Sequence, residues 1–150
     1  MLFLFIKSWL TLSMIKKYLI LFILVLAAAL YSCNSEKKKV PVNDLEVATY
    51  FTRNLLDNNF NEAELYLLKD ETNNQIFDRF KKQYSQKDKA TLEKYKNSEI
   101  IVTKTNYLTD SIFIYYYINS YSPADTTVLK LVRSDKKWLV DLKYTFMGNK

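Results

Sequence analysis

The sequence predicts an α+β domain in which N-terminal helices pack on a four-stranded antiparallel meander. Two observations lead to this prediction. Apolar residues recur at helical spacing as far as Asn97, whereas β-branched and aromatic residues dominate the rest of the chain. The predicted strands are joined by links of three to five residues, and such short links make neighbouring strands antiparallel. Because the helices precede the strands, we expect two segregated layers.

Caps and apolar spacing predict two helices at the start of the domain. The first begins at Asn43 or Asp44, because Asn43 followed by Glu46 resembles a capping box, and it ends at Asn58 and Asn59. Its apolar face has the spacing i, i+4, i+8 and comprises Val47, Phe51 and Leu55. A short second helix is predicted with Asn61 as its cap, and its buried residues are expected to be Ala63, Leu65 and Leu68.

A third helical segment is predicted over residues 75–96. It follows a polar break at residues 69–74, which we interpret as a solvated loop. Its apolar residues at helical spacing are Ile76, Phe77, Phe80 and Tyr84. Ser85, with Asp88 three residues later, offers a new cap, so the sequence is compatible with one bent helix or with two.

Alternation along the strands predicts which side chains meet the helices. Four strands are predicted, at residues 99–106, 111–120, 126–133 and 137–146. The predicted inward set of the second strand is Ile112, Ile114, Tyr116 and Ile118, and the outward set is Phe113, Tyr115 and Tyr117. The predicted inward set of the last strand is Trp138, Val140, Leu142 and Tyr144, with Leu139 outward.

The N-terminal segment has the order of a secretory signal. Lys16 and Lys17 precede an apolar run at residues 18–30, and small and polar residues follow. These 13 residues are fewer than the roughly 20 that a membrane-spanning helix needs. We therefore predict a signal peptide at residues 1–32 with translation starting at Met14. If Met1 is the start, a second apolar stretch precedes the lysines, and an uncleaved anchor is the alternative.

The end of this segment, Leu30-Tyr31-Ser32-Cys33, resembles the lipobox of bacterial lipoproteins. The resemblance implies that the signal is cut before Cys33 and that this cysteine is acylated, which anchors the protein in a membrane. Asn34 after the cysteine implies, by the same analogy, the outer membrane, and we expect the domain to face the periplasm. Residues 33–43 then form the lipidated cysteine and a tether, and residues 44–150 form the α+β domain.

The charge of the folded part argues against nucleic acid as a partner. The net charge of the whole chain is +6, but six of its lysines precede Val40. From Val40 onward there are 16 basic and 15 acidic residues. A domain that binds a polyanion needs a clear excess of positive charge.

The predicted domain resembles the nuclear-transport-factor-2-like, or cystatin-like, domains. The resemblance is carried by residues 58–63, Asn-Asn-Phe-Asn-Glu-Ala, and by the final hairpin at residues 129–141, which includes Trp138. Small lipoproteins of Bacteroidetes-type bacteria with domains of unknown function are similar in both parts. The glycines usual in that hairpin are missing, and its turn reads Ser134-Asp135-Lys136. The resemblance implies a cone-shaped half-barrel, sometimes with a pocket between helices and sheet.

The composition argues against an enzyme, a metal site or a bound cofactor. The chain has no histidine, so histidine-based catalytic triads and zinc sites are excluded. Its only glycine is Gly148, which excludes a glycine-rich phosphate loop. The predicted core faces of the second and last strands carry no carboxylate, and Asp141 falls on the opposite face.

Two non-catalytic functions are compatible with this fold. One is an interaction module that binds a protein partner or a second copy through an exposed sheet face, composed of Phe113, Tyr115, Tyr117 and Leu139. The alternative is a module that binds a small apolar ligand in a pocket, lined by Phe51, Phe77, Phe80, Tyr84, Tyr116 and Trp138. Dry packing between helices and sheet would favour the first function, and an empty cavity with a polar rim would favour the second.

Overall fold

The computed structural model describes residues 40–147, which form an α+β domain with the predicted order of helices followed by strands. The predicted signal peptide, Cys33 and the tether up to residue 39 lie outside the described residues. The helices of the described part are α1 (Asp44–Leu56), α2 (Phe60–Glu64), α3 (Glu71–Ser85), α4 (Lys89–Lys96) and α5 (Leu142–Met147). The strands are β1 (Ile100–Thr109), β2 (Ile112–Asn119), β3 (Ser122–Ser134) and β4 (Lys137–Asp141).

Helix α1 begins and ends where the sequence predicts. The Asn43 side chain accepts a hydrogen bond from the Glu46 backbone N–H at 2.8 Å, which satisfies one of the free donors of the first turn. Asn58 adopts a left-handed conformation with φ of 62° just after the helix, as asparagine often does at this position. Of the two alternatives for residues 75–96 the structure has two helices, α3 and α4. The predicted cap Ser85 is wrong, because Ser85 is the last residue of α3 and Asp88 caps α4.

The four strands form one antiparallel sheet in the order β1-β2-β3-β4, so the predicted meander is confirmed. Tyr115 on β2 pairs with Leu129 on β3, and Leu131 pairs with Val140 on β4. Paired residues share a face, so these four side chains lie on the side of the sheet that packs against the helices.

The hydrophobic core lies between this face and the helices, with Phe51 of α1 and Phe77 of α3 almost completely buried. Trp138 is 8% exposed and belongs to the same cluster, as predicted. Each large apolar side chain buried in this way stabilises the fold by about 1.5–3 kcal/mol. All residues of the cluster described here lie between Val47 and Leu142, so a fragment starting at Val40 retains every one of them.

The predicted orientation of β2 is wrong, because its aromatic residues are the ones that face the helices. Phe113, Tyr115 and Tyr117 are 2%, 0% and 7% exposed and belong to the core cluster. On the other face Ile114 is buried as well, and Ile112, Tyr116 and Ile118 are partly exposed. Both alternate sets of this strand are apolar, so hydrophobicity does not select between them, and a one-residue shift exchanges the faces. The aromatic set fills the space beneath α1 with larger side chains.

The predicted interaction face is therefore not a surface of the domain. Three of its four members, Phe113, Tyr115 and Tyr117, are buried between the sheet and the helices. Leu139 alone keeps its predicted side, since it pairs with Val132 on the opposite face and is partly exposed.

The last predicted strand is too long, because β4 ends at Asp141 and the chain continues as helix α5. The segment after α2 differs too. Leu65 is 68% exposed, whereas Leu67 is buried. The backbone around Leu67 pairs with Val140, whose N–H donates to the Tyr66 carbonyl at 2.7 Å. The bridge places Leu67, instead of the predicted Leu65 and Leu68, in the core.

The polar break is also different from the prediction. Helix α3 begins at Glu71, so residues 71–74 are helical, and the Asp70 side chain caps the helix by accepting from the Asn73 N–H at 2.8 Å. Asn73 is fully buried. The short α2 has Asn59 as its cap residue instead of Asn61.

Candidate ligand-binding cavity

A difference in strand length opens a space on one side of the sheet. Strand β3 has 13 residues and β4 has five, and their pairing ends at Lys130 and Asp141. The first half of β3 therefore has no partner on the β4 side within the described sheet. Helix α5 lies there instead, and the Thr145 hydroxyl donates to the Val128 carbonyl at 2.6 Å. A helix cannot extend the hydrogen-bond ladder of the sheet, so the packing beside the first half of β3 is less close than between paired strands.

The resulting cavity has a volume of about 550 Å³ and lies between α3, α5 and the ends of β2 and β3. This volume is in the range of known small-molecule sites, about 300–1,000 Å³. Its apolar walls include Leu55, Phe77, Phe80, Leu129, Leu142 and Phe146. Its polar lining includes Gln83, Lys87, Asn119, Asp125, Thr127 and Thr145. The cavity thus combines an apolar and aromatic wall with a small number of polar groups.

Tyr84 of α3 is at the centre of the aromatic wall. Its ring stacks on Phe80 with centroids 5.0 Å apart and meets Phe60 edge-on at 5.5 Å. Such contacts add about 0.5–1.5 kcal/mol each to the area term and hold the rings in fixed orientations. Tyr84 is 4% exposed, and burial raises the pKa of its hydroxyl far above the ordinary value. Tyr117 is also in the lining, and burial raises its pKa to about 12. Both phenols are neutral at physiological pH.

The structure brings four of the six predicted pocket residues around the cavity, namely Phe77, Phe80, Tyr84 and Tyr116. Tyr116 lies on the opposite face of β2 from Tyr117, so the lining includes residues of both faces of the sheet. The other two predicted pocket residues are core residues away from the cavity. Phe51 is fully enclosed and packs against Phe77 at 6.3 Å, and the ring of Trp138 lies 5.9 Å from the Arg133 guanidinium. The contribution of α5 is not indicated by the sequence, because the alternation of residues 137–146 predicts a strand there. The sequence does not indicate Tyr117 either, because its predicted direction is outward.

A polar cluster holds α5 against α3 and so fixes one wall of the cavity. The Asn73 side-chain oxygen accepts from the Leu142 N–H at 2.8 Å and from the Lys143 N–H at 3.3 Å, which caps the start of α5 from a distant helix. The Asn73 amide nitrogen donates to Asp70 at 2.9 Å. The Lys143 ammonium, together with the Asn73 N–H, holds the pKa of Asp70 below its ordinary value.

Asp141 extends this cluster on the outer face of the sheet. It lies on the predicted face, opposite Lys130, but it is buried, with 6% of its surface exposed. Its carboxylate lies 3.3 Å from the Lys130 ammonium and 3.7 Å from the Lys143 ammonium. Two cations therefore compensate for its burial, as a buried charge requires. These pairings give the carboxylate a structural role.

Residues 40–147 bring together no group of three or more His, Cys, Asp or Glu side chains that could hold a metal ion. In the same part of the chain, no helix has both the length and the apolar character needed to cross a membrane.

Comparisons of the chain with protein-family models, with curated proteins and with solved structures found no match.

Proposed function

We propose that the domain is a non-catalytic module that binds a small apolar or aromatic molecule in the cavity between α3, α5 and the sheet. The observation that carries this proposal is the cavity of about 550 Å³ with aromatic walls and a polar rim. Exposed residues such as Gln83 and Asp125 belong to the lining, so the cavity is open to solvent and a small molecule can enter it. An apolar ligand that fills it would remove the aromatic walls from water, at about 25 cal/mol for each Å² of apolar area.

The burial of the predicted interaction face supports this function over the alternative. With Phe113 and Tyr115 inside the core, a partner has no access to them in the folded domain. The remaining predicted member, Leu139, does not make a patch. Three residues of the predicted ligand pocket, Phe77, Phe80 and Tyr84, do surround the cavity.

The charged groups near the cavity support a binding role rather than catalysis. A general acid or base needs a titratable group with a shifted pKa directed at the substrate. Asp70 and Asp141 are held in ion pairs with Lys143 and Lys130, and these pairs stabilise the fold. Asp125 lines the cavity but is exposed, and it accepts a hydrogen bond from the Ser122 hydroxyl at 2.5 Å.

We propose that the domain belongs to a lipoprotein anchored through Cys33, in the outer membrane and facing the periplasm. The support comes from the apolar run at residues 18–30 and the lipobox-like ending at Cys33. We also propose that its fold is a half-barrel of the nuclear-transport-factor-2-like kind. The support is the helix-then-meander order with a cavity that residues of the helices and of the sheet line.

Binding can be tested with N-phenyl-1-naphthylamine, an uncharged aromatic probe whose fluorescence rises in apolar surroundings. The protein is the fragment Val40–Lys150, which retains every residue of the core cluster of residues 40–147. Gln83 lines the cavity from α3 and is exposed, so Gln83→Trp should obstruct the cavity without disturbing the core. Gln75 is an exposed glutamine of the same helix outside the lining, and Gln75→Trp is the matched control.

We expect the parent and Gln75→Trp to bind the probe saturably at one site, and Gln83→Trp to lose at least tenfold in affinity, which corresponds to about 1.4 kcal/mol. Unsaturable fluorescence, or equal affinity in all three proteins, would rule out the cavity as a binding site.

The anchor can be tested by metabolic labelling of the full chain with palmitate in a bacterial host. Cys33→Ala should abolish the label and leave the signal peptide uncleaved. Unchanged labelling of the variant would disprove the anchor and would leave the binding proposal unaffected.

A further inference from the structure

We infer that the ligand of this cavity is amphipathic, with an apolar or aromatic body and one anionic group, and that Lys87 and Asn119 bind the anionic group. The inference rests on the proposed binding function and specifies the chemical class of the ligand. Two independent observations on the polar lining carry it.

The first observation concerns the charge of the lining. Lys87, between α3 and α4, is the basic residue among the described residues that line the cavity. Its ammonium lies 5.9 Å from the centroid of the Tyr84 ring and 5.5 Å from that of Tyr95. Within residues 40–147 no carboxylate comes within ion-pair distance of it, whereas Lys130 and Lys143 are paired. Lys87 is partly buried, so a cation without a counterion is held beside the aromatic wall.

The second observation is a buried amide with an unused donor. Asn119 lines the cavity at the end of β2 and is 9% exposed. Its side-chain oxygen accepts from the Ser122 N–H at 2.9 Å. Because a backbone N–H can only donate, this bond fixes the orientation of the amide, and the NH₂ group points elsewhere. The described residues offer that NH₂ group no acceptor, and it is not among their fully buried polar atoms, so it can donate to water or to a ligand in the cavity.

The Lys87 ammonium and the Asn119 amide NH₂ group can both donate to the same acceptor. An ammonium and an amide NH₂ are both donors, and a carboxylate or sulfonate accepts from both. The apolar walls of the cavity would contact the apolar or aromatic body of the ligand. Asp125 is an acid in the lining, but it is exposed and accepts from Ser122. Solvent therefore screens the charge of Asp125 more than that of the partly buried Lys87, and the ammonium and the amide NH₂ together favour an anionic group.

A pair of probes separates the charge from the apolar body. 1-Anilinonaphthalene-8-sulfonate carries a sulfonate, and N-phenyl-1-naphthylamine is its uncharged counterpart. In the fragment Val40–Lys150, Lys87→Met removes the charge and keeps an apolar stem over the tyrosine rings. The matched control is Lys82→Met, which removes an exposed lysine of α3 outside the lining.

We expect Lys87→Met to weaken sulfonate binding about tenfold, which is the scale of a charge-assisted hydrogen bond at a partly exposed site, and to change binding of the uncharged probe less than twofold. Lys82→Met should leave both affinities within twofold of the parent. Asn119→Asp keeps the acceptor for the Ser122 N–H and replaces the donor with a negatively charged oxygen. It should weaken sulfonate binding at least tenfold and leave the uncharged probe bound.

The outcomes separate this inference from the proposed function. If neither probe binds the parent saturably, the binding function itself fails. If the uncharged probe binds but Lys87→Met leaves sulfonate affinity unchanged, or lowers both affinities equally, only the anionic class is wrong. Tighter binding of the cationic naphthalene probe dansylcadaverine than of the sulfonate would also overturn the inference.

Discussion

The substitution Asn73→Ala tests how the cavity wall is held. The Asn73 side chain is fully buried and makes three hydrogen bonds, to the Leu142 N–H, to the Lys143 N–H and to Asp70. Alanine leaves the N–H of the buried Leu142 without an acceptor, which is unfavourable by about 1–3 kcal/mol. The Lys143 N–H loses less, because its bond is longer and Asp141 also accepts from it at 3.3 Å.

We therefore expect Asn73→Ala to lower the free energy of unfolding by about 2–4 kcal/mol, out of a total of about 5–15 kcal/mol for such a domain. In urea this loss corresponds to a midpoint lower by about 1–2 M. Asn74→Ala is the matched control, because Asn74 is the exposed neighbour on the same helix and its loss should change stability by less than about 0.5 kcal/mol.

Amide hydrogen exchange locates the effect. In Asn73→Ala the amides of Leu142 and Lys143 should lose protection more than those of β2, because the start of α5 loses its cap. Equal unfolding midpoints for Asn73→Ala and Asn74→Ala would refute the assigned role of Asn73. So would a loss of protection spread evenly over the domain.

Three other predictions address the core, the last turn and the dependence on pH. Trp138→Ala should lower the free energy of unfolding by about 3–5 kcal/mol, because a buried core side chain is lost, and a melting temperature within two degrees of the parent would contradict this. Lys136→Gly should raise stability by about 0.5–1 kcal/mol, since Asp135 and Lys136 have φ of 48° and 64°, and Asp-Gly suits a turn with both residues in the left-handed region; a lower melting temperature would argue against strain at this turn. Asp70→Asn should lower the urea midpoint at pH 7. The pKa of Asp70 is held below its ordinary value, so its stabilisation is complete above about pH 4 and is lost as the pH falls through the folded-state pKa. The difference from the parent should therefore shrink as the pH falls below about 4, the ordinary pKa of aspartate, and a constant difference would contradict the pairing with Lys143.

The helices and the order of the strands could be predicted because local signals determine them. Asn43 and Asn58 mark the ends of α1 by their own side-chain and backbone preferences, and short links between strands leave an antiparallel meander as the simple topology. Trp138 was predicted to be buried because it alternates with Val140 in the last hairpin. None of these predictions required knowledge of distant contacts.

The errors arose where a distant contact decides the structure. Leu142 begins a helix because Asn73, nearly seventy residues earlier, caps it, and nothing local to Leu142 indicates this. Asparagine is common in loops, but Asn73 lies in a helix and is fully buried. On β2 both faces are apolar, so the larger volume of Phe113 and Tyr115, matched to the space beneath α1, selects the face.

The candidate site includes residues whose position the sequence predicts and residues whose position it does not predict. Phe77, Phe80 and Tyr84 share one helix face, so their convergence follows from helical periodicity. The opposite wall depends on α5 and on the orientation of Tyr117, and both were predicted incorrectly. Lys87 and Asn119 of the polar rim come from separate parts of the fold. Their spacing in the sequence does not indicate that they line the same cavity.

An NMR titration of the fragment Val40–Lys150 with N-phenyl-1-naphthylamine tests the central claim most directly, because it reports both binding and its location. The methyl groups of Leu55, Leu129 and Leu142 line the cavity, whereas those of Ile101 and Val102 lie on the exposed strand β1. We predict saturable shifts and contacts to the probe at the three leucines, and no change at Ile101 and Val102. Shifts confined to β1, or shifts that never saturate, would contradict binding in the cavity.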